Sequence, residues 1–482
     1  MRILRMALSC IIDSLRTTCN MRILRMVLSC IIDIVRTTCR MHVPQDARAT
    51  GCTCCDMTES DEKRDSIVTT DLKDRTIVYA LGIYINPGMR RLLCEYLRRA
   101  APNYKAVHVM FCYWWPGIDR EPFVDMVNSL GVPNLNAHEF SIMASPSYGR
   151  KLGWPGANWP NALMTTFREI GDMAQSLREM DADLIHIILT EYQSTFAFAR
   201  AAKLAKVDAR LLSFTGVAPT PARFRRFVNR ITDRNLTGVL LASKADIHGA
   251  EEYFPRSPKS VVYGWGLAPD LFRLEKVDPA GIRGELKLGP DDLLIGTTTR
   301  IAPNKGQETL IRALPDVLAS CPKLVCAILG GRYDADQPWQ KRLEELADEL
   351  GVLSNIRFLG ERDDTADVFA AYDVAVHLAD FDYLPFGVLE CMALGKACLC
   401  TDVGGIPEMV SDGETGLLVK PQDGRAASEA LTRLLADRDF RFRLGKNAQR
   451  FVLERYDLDR LVERVKGMYA DALAGSPKPE YA

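Results

Sequence analysis

Two carboxylates, Asp382 and Glu390, lie eight residues apart in the segment ADFDYLPFGVLECMALG at residues 379–395. The run VAVHLA (374–379) is short and apolar, which predicts a buried strand. Helical spacing of apolar residues begins after it, and Pro385 suits a first helical turn, where a missing N–H costs nothing. Asp382 is therefore expected on a loop at the carboxyl end of a strand, and Glu390 about one turn into the next helix. Because the free N–H groups of a helix start can bind phosphate, acids able to grip sugar hydroxyls beside them predict a nucleotide-sugar pocket.

Length and composition are those of an ordinary globular protein. The chain has 482 residues, a net charge of −1 and 47% apolar residues, enough for two domains with sizeable cores. Nothing in these totals indicates a nucleic-acid partner, and no uninterrupted apolar run approaches the length of a membrane span. Seven of the 14 cysteines are scattered after residue 56, mostly in apolar runs. They are expected to be reduced core thiols of a cytoplasmic protein.

The first 56 residues differ from the rest. Residues 1–20 are repeated almost perfectly at 21–40, and the other seven cysteines lie in this segment. Two copies of a short unit are too few for a solenoid. We interpret residues 1–56 as a duplicated leader, disordered or translated from a wrongly chosen start, with Met57 as the native start.

From Arg75 onward, apolar runs alternate with amphipathic helical stretches, the pattern of parallel sheets covered on both faces. The predicted fold class is α/β, with two Rossmann-like, doubly wound parallel-sheet domains that face a cleft. Ligands of such sheets bind at the carboxyl ends of the strands. The predicted division is a first domain over 57–268, a linker over 269–291, a second domain over 292–455, and a crossover helix back to the first domain, with a tail, over 456–482.

Four segments of the second half follow one another in the order and spacing of a known family. They are RIAPNKG (300–306), NIRFLG (355–360), DYLPFGVLE (382–390) and TDVGGIPEMVSDGETGLLV (401–419). Together they resemble the retaining glycosyltransferases of the GT-B fold, family 4 (glycosyl transferases group 1), and the resemblance extends over roughly 75–474. Several motifs in order are far more specific than one alone.

The resemblance implies roles for the basic and acidic residues of these motifs. Arg300 and Lys305 would hold the donor diphosphate and stabilise charge on the leaving group, since Arg forks two phosphate oxygens and Lys adds a mobile charge. Asp382 would contact hydroxyls of the donor sugar, and Glu390 those of the ribose. Glu408 and Asp412, in the last motif, are expected to be merely solvated.

The resemblance also implies a role for the backbone. At the start of the helix after Asp382, N–H groups would face the diphosphate, namely those of Phe386, Gly387 and Val388. In the first half, IYINPGMRRLL (83–93) resembles the family's glycine loop, in which Gly88 would bring backbone against phosphate or sugar. A plain turn at Pro87–Gly88 explains that segment equally well.

The acceptor side departs from the family pattern. Many relatives carry a histidine at a strand end near the reacting carbon, where this chain has Ile188. His186 is predicted to be a core histidine, which leaves Glu191 or Tyr192 as candidates for acceptor contacts. The basic amphipathic stretch 222–234 fits an anionic membrane surface, and a solvated helix face explains it as well.

The resulting expectation is an enzyme (EC 2.4) that moves a sugar, with retention, from a nucleoside diphosphate sugar to a glycan or lipid-linked acceptor. The leaving diphosphate would take the acceptor's proton, so catalysis would be mainly positioning and electrostatics. No DxD-type metal site is evident at a strand end, so neither a required metal nor a tightly bound cofactor is expected. The expected setting is cell-surface polysaccharide synthesis, in the cytoplasm or peripherally at the inner face of the membrane.

Other functions remain open. The same fold serves sucrose or trehalose synthase-like enzymes and nucleotide-sugar epimerases, and the absent histidine would also suit a non-catalytic partner subunit. An NAD-dependent enzyme lacks support because no G-x-G-x-x-G follows a first strand.

Overall fold

The protein is described here by a computed structural model. It describes residues 72–81, 87–113, 123–141, 159–188, 192–214, 223–262, 266–267, 272, 274–330 and 337–475. The leader 1–56, the start of the loop before Gly88, and Glu191 lie outside these residues.

The first domain is built on a seven-stranded parallel sheet with strand order β3-β2-β1-β4-β5-β6-β7. Its central strands β1 and β4 are completely buried and mostly apolar, as a sheet covered on both faces requires. The strands are β1 (Thr76–Leu81), β2 (Ala106–Tyr113), β3 (Leu135–Ser141), β4 (Leu184–Ile188), β5 (Ala209–Phe214), β6 (Gly238–Leu241) and β7 (Lys259–Val261). Its helices are α1 (Pro87–Ala100), α2 (Phe123–Asn128), α3 (Trp159–Glu179), α4 (Tyr192–Ala205), α5 (Arg223–Asp233) and α6 (Ile247–Tyr253).

The second domain is built on a six-stranded parallel sheet with strand order β10-β9-β8-β11-β12-β13. The strands are β8 (Leu293–Thr297), β9 (Leu324–Leu329), β10 (Ile356–Gly360), β11 (Val374–His377), β12 (Ala397–Thr401) and β13 (Leu417–Val419). Its first helices are α7 (Pro279–Glu285), α8 (Gln307–Ser320), α9 (Gln337–Glu349), α10 (Thr365–Ala371), α11 (Phe386–Ala393) and α12 (Ile406–Met409). Helix α7 lies in the stretch expected to be linker, and Ile282 and Leu286 pack in the core of this second domain.

Three consecutive helices end the described chain: α13 (Gly424–Ala436), α14 (Arg438–Arg455) and α15 (Leu458–Leu473). Each begins at an aspartate whose carboxylate accepts a backbone N–H of the first turn, at 2.8–3.0 Å. Such caps typically stabilise a helix by about 1 kcal/mol. Among the described helices, none is long and apolar enough to cross a membrane.

Helix α15 packs on the first domain although it follows the second. Its apolar face belongs to the core cluster that surrounds β1 and β2, through Leu458, Leu461, Val462, Val465, Tyr469 and Ala472. The Tyr469 hydroxyl lies 2.6 Å from Nδ1 of His186 in β4, and the Ser213 hydroxyl lies 2.7 Å from Nε2. Both ring nitrogens of His186 thus have partners, as expected of a core histidine. Burial lowers the pKa of His186 to about 3.

The two domains also touch through Glu408 in α12. Its carboxylate accepts the backbone N–H groups of Lys244 and Ala245 at 3.0 Å each, at the start of a short turn in the first domain. The expectation that Glu408 is merely solvated is therefore wrong, because it caps a turn of the other domain. Asp412 is exposed, as expected, and accepts the N–H of Leu418 at 2.9 Å.

Asp246 lies in the same first-domain turn and is buried. Its Oδ2 accepts from the backbone and hydroxyl of Ser243 at 3.2 and 3.0 Å, while its buried Oδ1 has no partner. Burial raises the pKa of Asp246 to about 7, against the hydrogen bonds from Ser243 and with a smaller contribution from the charge of Glu408.

His186 and Asp246 should make the free energy of unfolding depend on pH in opposite directions. Folded His186 stays neutral while the unfolded chain takes up a proton below about pH 6.5, so its contribution to stability is lost as pH falls. Folded Asp246 stays protonated while the unfolded chain ionises above about pH 4, so its contribution is lost as pH rises. The unfolding free energy of His186→Gln, relative to that of wild type, should therefore increase as the pH is lowered to 5. That of Asp246→Asn, relative to wild type, should increase as the pH is raised to 7. Each effect is at most about 1.4 kcal/mol per pH unit.

Chemical denaturation of the full chain between pH 5 and 7 measures these slopes. Replacement of His248, an exposed histidine on α6, by Gln is the matched control and should leave the slope unchanged. Slopes that shift in the same direction in both variants would contradict the assignment.

Candidate functional site

The loop after β8 brings a basic group to the carboxyl edge of the second sheet. Arg300 is exposed on this loop, and its carbonyl accepts the side-chain amide of the buried Gln307 at 2.9 Å. Lys305 follows, with a side chain only 17% exposed. Gly306 then precedes α8 with φ +76°, and a Cβ there would lie 1.9 Å from the Leu378 carbonyl. Only glycine lets this loop lie directly against the end of β11.

Asp382 is the centre of the site, on the loop between β11 and α11. Its Oδ2 lies 2.6 Å from Nζ of Lys305 and 3.2 Å from Nε2 of His377, and its Oδ1 accepts the Tyr383 N–H at 3.0 Å. A carboxylate offers about four acceptor positions, so three donors leave room for about one substrate hydroxyl. Lys305 has three donors, so the bond to Asp382 leaves others for phosphate oxygens.

The charge of Asp382 is held in place by its neighbours. Burial of the carboxyl raises its pKa, but the hydrogen bonds and charges of His377 and Lys305 outweigh burial and hold the pKa well below its usual range. Asp382 is therefore ionised at neutral pH, although its side chain is only 19% exposed. An ionised carboxylate accepts hydrogen bonds and cannot donate one, so its chemistry here is to position donors.

His377 is the residue of this cluster that the sequence interpretation missed. It is the last residue of β11 and is buried, with Nδ1 3.0 Å from the Thr298 hydroxyl. Val376 pairs with Thr297 in the parallel ladder, which sets the next residues, His377 and Thr298, side by side. The available signal was one imidazole in an otherwise apolar strand five residues before Asp382.

Helix α11 begins against the same loop. Pro385 comes just before the first helical residue rather than inside the first turn, and a Cβ on Gly387 would lie 2.1 Å from the Thr298 carbonyl. Val388 donates its N–H to the Pro385 carbonyl at 3.1 Å, so this amide is engaged within the helix. The diphosphate role of Phe386 and Gly387 stays a prediction. Glu390 is half-buried on α11, one turn after Phe386.

The structure therefore brings Lys305, Asp382 and the Gly387 backbone into one contiguous cluster around Thr298 and His377. Among the described residues, no group of three or more His, Cys, Asp or Glu side chains could hold a metal ion.

The predicted first-domain contacts that the structure describes lie on α1, β4 and α4. Gly88 is the second residue of α1, and the loop before it is outside the described residues. Ile188 ends β4 and is buried, and Tyr192 opens α4. Of the stretch 222–234, residues 223–233 form α5. Its end is packed inward, where Asp233 accepts the N–H groups of Arg256 and Ser257 at 2.9 and 3.0 Å.

The two parallel-sheet domains define the fold of the protein, and solved structures agree. Anabaena Alr3699/HepE in complex with UDP and glucose aligns with a TM-score of 0.66 at 19% identity, covering 82% of this chain and 100% of that one. Sucrose-phosphate synthase from Thermosynechococcus elongatus aligns with a TM-score of 0.66 at 19% identity, covering 83% and 100%. The predicted fold class, GT-B, is confirmed.

Sequence comparison shows which family the second domain resembles. Residues 281–451 match the family described as glycosyl transferases group 1. The D-inositol 3-phosphate glycosyltransferase of Nocardia farcinica is 33% identical over 183 residues, which are 37% of this chain and 41% of the relative. The chain spans about half the length of the curated relatives it matches. The family match over residues 281–451 includes Arg300, Lys305, Asp382 and Glu390.

Replacement of Gly387 by alanine tests the contact between α11 and the loop after β8. The new Cβ would meet the Thr298 carbonyl, which cannot move without shifting β8, so we expect a loss of about 3 kcal/mol in unfolding free energy. Gly467 on α15 is the matched control, since a Cβ there meets nothing within 4 Å. Its alanine variant should be neutral or stabilised by up to about 1 kcal/mol. Equal stabilities of the two variants, measured by denaturation, would contradict this packing.

Proposed function

We propose that this chain is a retaining glycosyltransferase of family 4, which transfers a sugar from a nucleoside diphosphate sugar. The observation that carries the proposal is the buried Lys305–Asp382 pair beside the start of α11, within the segment that matches the group 1 family. A cation next to a helix N-terminus suits a diphosphate, and an ionised carboxylate with about one free acceptor position suits a sugar hydroxyl.

The residues then divide the donor between them. Arg300 and Lys305 hold the diphosphate and stabilise its charge as it leaves, with the amides of Phe386 and Gly387. Asp382 contacts the sugar, Glu390 the ribose, and Gly88 approaches the donor from the first domain. The departing phosphate takes the acceptor's proton on the face where the new bond forms. Catalysis is then electrostatic stabilisation and positioning, with no protein nucleophile and no required metal.

The similar proteins suggest where to begin with substrates. A neighbour of this fold is named with UDP and glucose, and a relative is named for D-inositol 3-phosphate. We therefore propose a UDP-hexose as the first donor to test, and glycans, phosphorylated polyols and lipid-linked sugars as acceptors. The proposed setting is cell-surface polysaccharide synthesis on the cytoplasmic side of the membrane.

The test is a screen of nucleoside diphosphate sugars for stabilisation of the full chain, followed by release of nucleoside diphosphate with each acceptor. A donor at about 100 times its Kd stabilises by roughly 2.7 kcal/mol. NMR of the product's anomeric configuration decides retention. Donor binding without turnover on any acceptor would favour a non-catalytic subunit, and no binding of any donor would refute the proposal.

Loss of the acidic and basic donor contacts should separate binding from turnover. Glu390→Ala should weaken donor binding about tenfold or more, because a charged hydrogen bond contributes about 1.5–3 kcal/mol. Lys305→Met should lower kcat by about 10²–10³, as expected when a stabiliser of developing charge is removed. Glu429→Ala on α13 and Lys341→Met on α9, both exposed, are matched controls that should leave both constants unchanged. Donor titration and steady-state kinetics measure these effects.

The basic stretch 222–234 yields a separate prediction about the membrane. Arg223, Arg225, Arg226 and Arg230 should attract an anionic surface by about 1 kcal/mol each. Binding to vesicles that contain anionic lipid should therefore weaken in a variant with all four changed to Gln, as measured by co-sedimentation. Vesicles of neutral lipid are the control, and unchanged binding would leave this stretch as a solvated helix face.

A further inference from the structure

His377 has no part in the proposed donor contacts, yet it lies inside the cluster. Its side chain is 0% exposed, and both ring nitrogens face polar groups of the site: Thr298 at 3.0 Å and Asp382 at 3.2 Å. The other residues of β11 are Val374, Ala375 and Val376, all apolar and buried. An imidazole in this row costs free energy by desolvation unless its nitrogens are hydrogen-bonded.

The partners of His377 fix one of its protons. The ionised carboxylate of Asp382 only accepts, so Nε2 must carry a hydrogen. Nδ1 faces the Thr298 hydroxyl, which can accept a hydrogen from the ring or donate one to it. The result is a chain of hydrogen bonds that joins Thr298, His377 and Asp382. The two partners thus fix the orientation of the ring.

This chain determines where the carboxylate of Asp382 lies. Nε2 of His377 reaches Oδ2 from the strand, and Lys305 reaches the same oxygen from the loop after β8. The Tyr383 N–H accounts for one bond at Oδ1, which leaves that oxygen as the one turned to substrate. Without the imidazole, only the flexible ammonium of Lys305 and the Tyr383 N–H would hold the carboxylate, and its orientation, with that of Lys305, would be less fixed.

Resting on the proposed function, we infer that His377 is a positioning residue for sugar transfer. It orients Asp382, and through it Lys305, by donating from Nε2, while the Thr298 hydroxyl holds the other ring nitrogen. It does not touch the substrate. Misplacement of a reacting group by about 1 Å can cost about 10²-fold in rate, so an orienting bond of this kind governs turnover more than donor binding.

The test compares His377→Leu, which removes the donor, with His377→Gln, whose amide nitrogen can replace Nε2. For the Leu variant we expect kcat to fall about 10²-fold per folded molecule while KM for the donor changes less than threefold. The Gln variant should recover kcat to within about tenfold of wild type. His186→Gln, the loss of a buried histidine outside the site, is the matched control and should retain wild-type turnover per folded molecule.

The pH profile gives an independent readout. The titratable groups that act on Asp382 are His377 from β11 and Lys305 from the loop after β8. Loss of His377 removes one of the two groups that keep the carboxyl ionised, so the acid limb of kcat/KM should move up by about one pH unit or more in the Leu variant. The Gln variant should move it less, and His186→Gln not at all.

Several outcomes would overturn the inference. One is a Leu variant with wild-type turnover per folded molecule and an unmoved acid limb, and another is a Gln variant no better than Leu. If wild type shows no transfer with any donor and acceptor, the proposed function fails, and the inference is then judged by NMR titration of the ¹³C-labelled Asp382 carboxyl in the full chain. A titration that moves up in the Leu variant supports the orienting bond, and an unmoved one overturns it.

Discussion

A carboxylate that water barely reaches must be matched by donors from the protein, or it will take up a proton. Asp382 meets this condition with an ammonium group, an imidazole and a backbone N–H. These donors come from the loop after β8, from the end of β11 and from its own loop. The need to satisfy one buried charge therefore fixes the relative positions of three chain segments. The carboxyl edge of the second sheet takes its shape from that need before any ligand arrives.

Close backbone contacts make this frame stiff. The loop that carries Lys305 touches the end of β11 at Gly306, and α11 touches the loop after β8 at Gly387. Both are contacts between backbone atoms with no side chain between them. A change of side-chain rotamer therefore cannot relieve a shift of either segment. The helix start that is proposed to bind the diphosphate and the carboxylate proposed to bind the sugar are thus held on one rigid support, Thr298.

Much of the fold could be predicted from the sequence, since central strands such as β8 and β11 are apolar runs between helical stretches. The apolar signal is weakest in β3, β7 and β13, all at sheet edges. Edge strands are short, or carry polar residues as in LNAHEFS of β3, and so lack the apolar signal. The prediction of β11 as far as Ala379 was too long, because its pairing ends at His377 and the Leu378 carbonyl meets Gly306 instead.

The residues of the site also differ in how far they could be predicted from the sequence. Asp382 and Glu390 could be proposed from the sequence because their spacing is a local pattern. His377 was missed because its meaning depends on the pairing of β8 with β11, and Glu408 because its partners belong to the other domain. Contacts between segments far apart in the chain have no local signature that a single sequence can show.

The packing of α15 on the first domain bears on how this protein is made. The core around β1 and β2 contains residues from Leu72 to Ala472, so it spans nearly the whole described chain. Domains made early in synthesis generally fold first. Here the apolar faces of β1 and α1 stay partly uncovered until residues 458–473 have been translated, while the core of the second domain is already complete. The domain that is synthesised first is the one that finishes folding last.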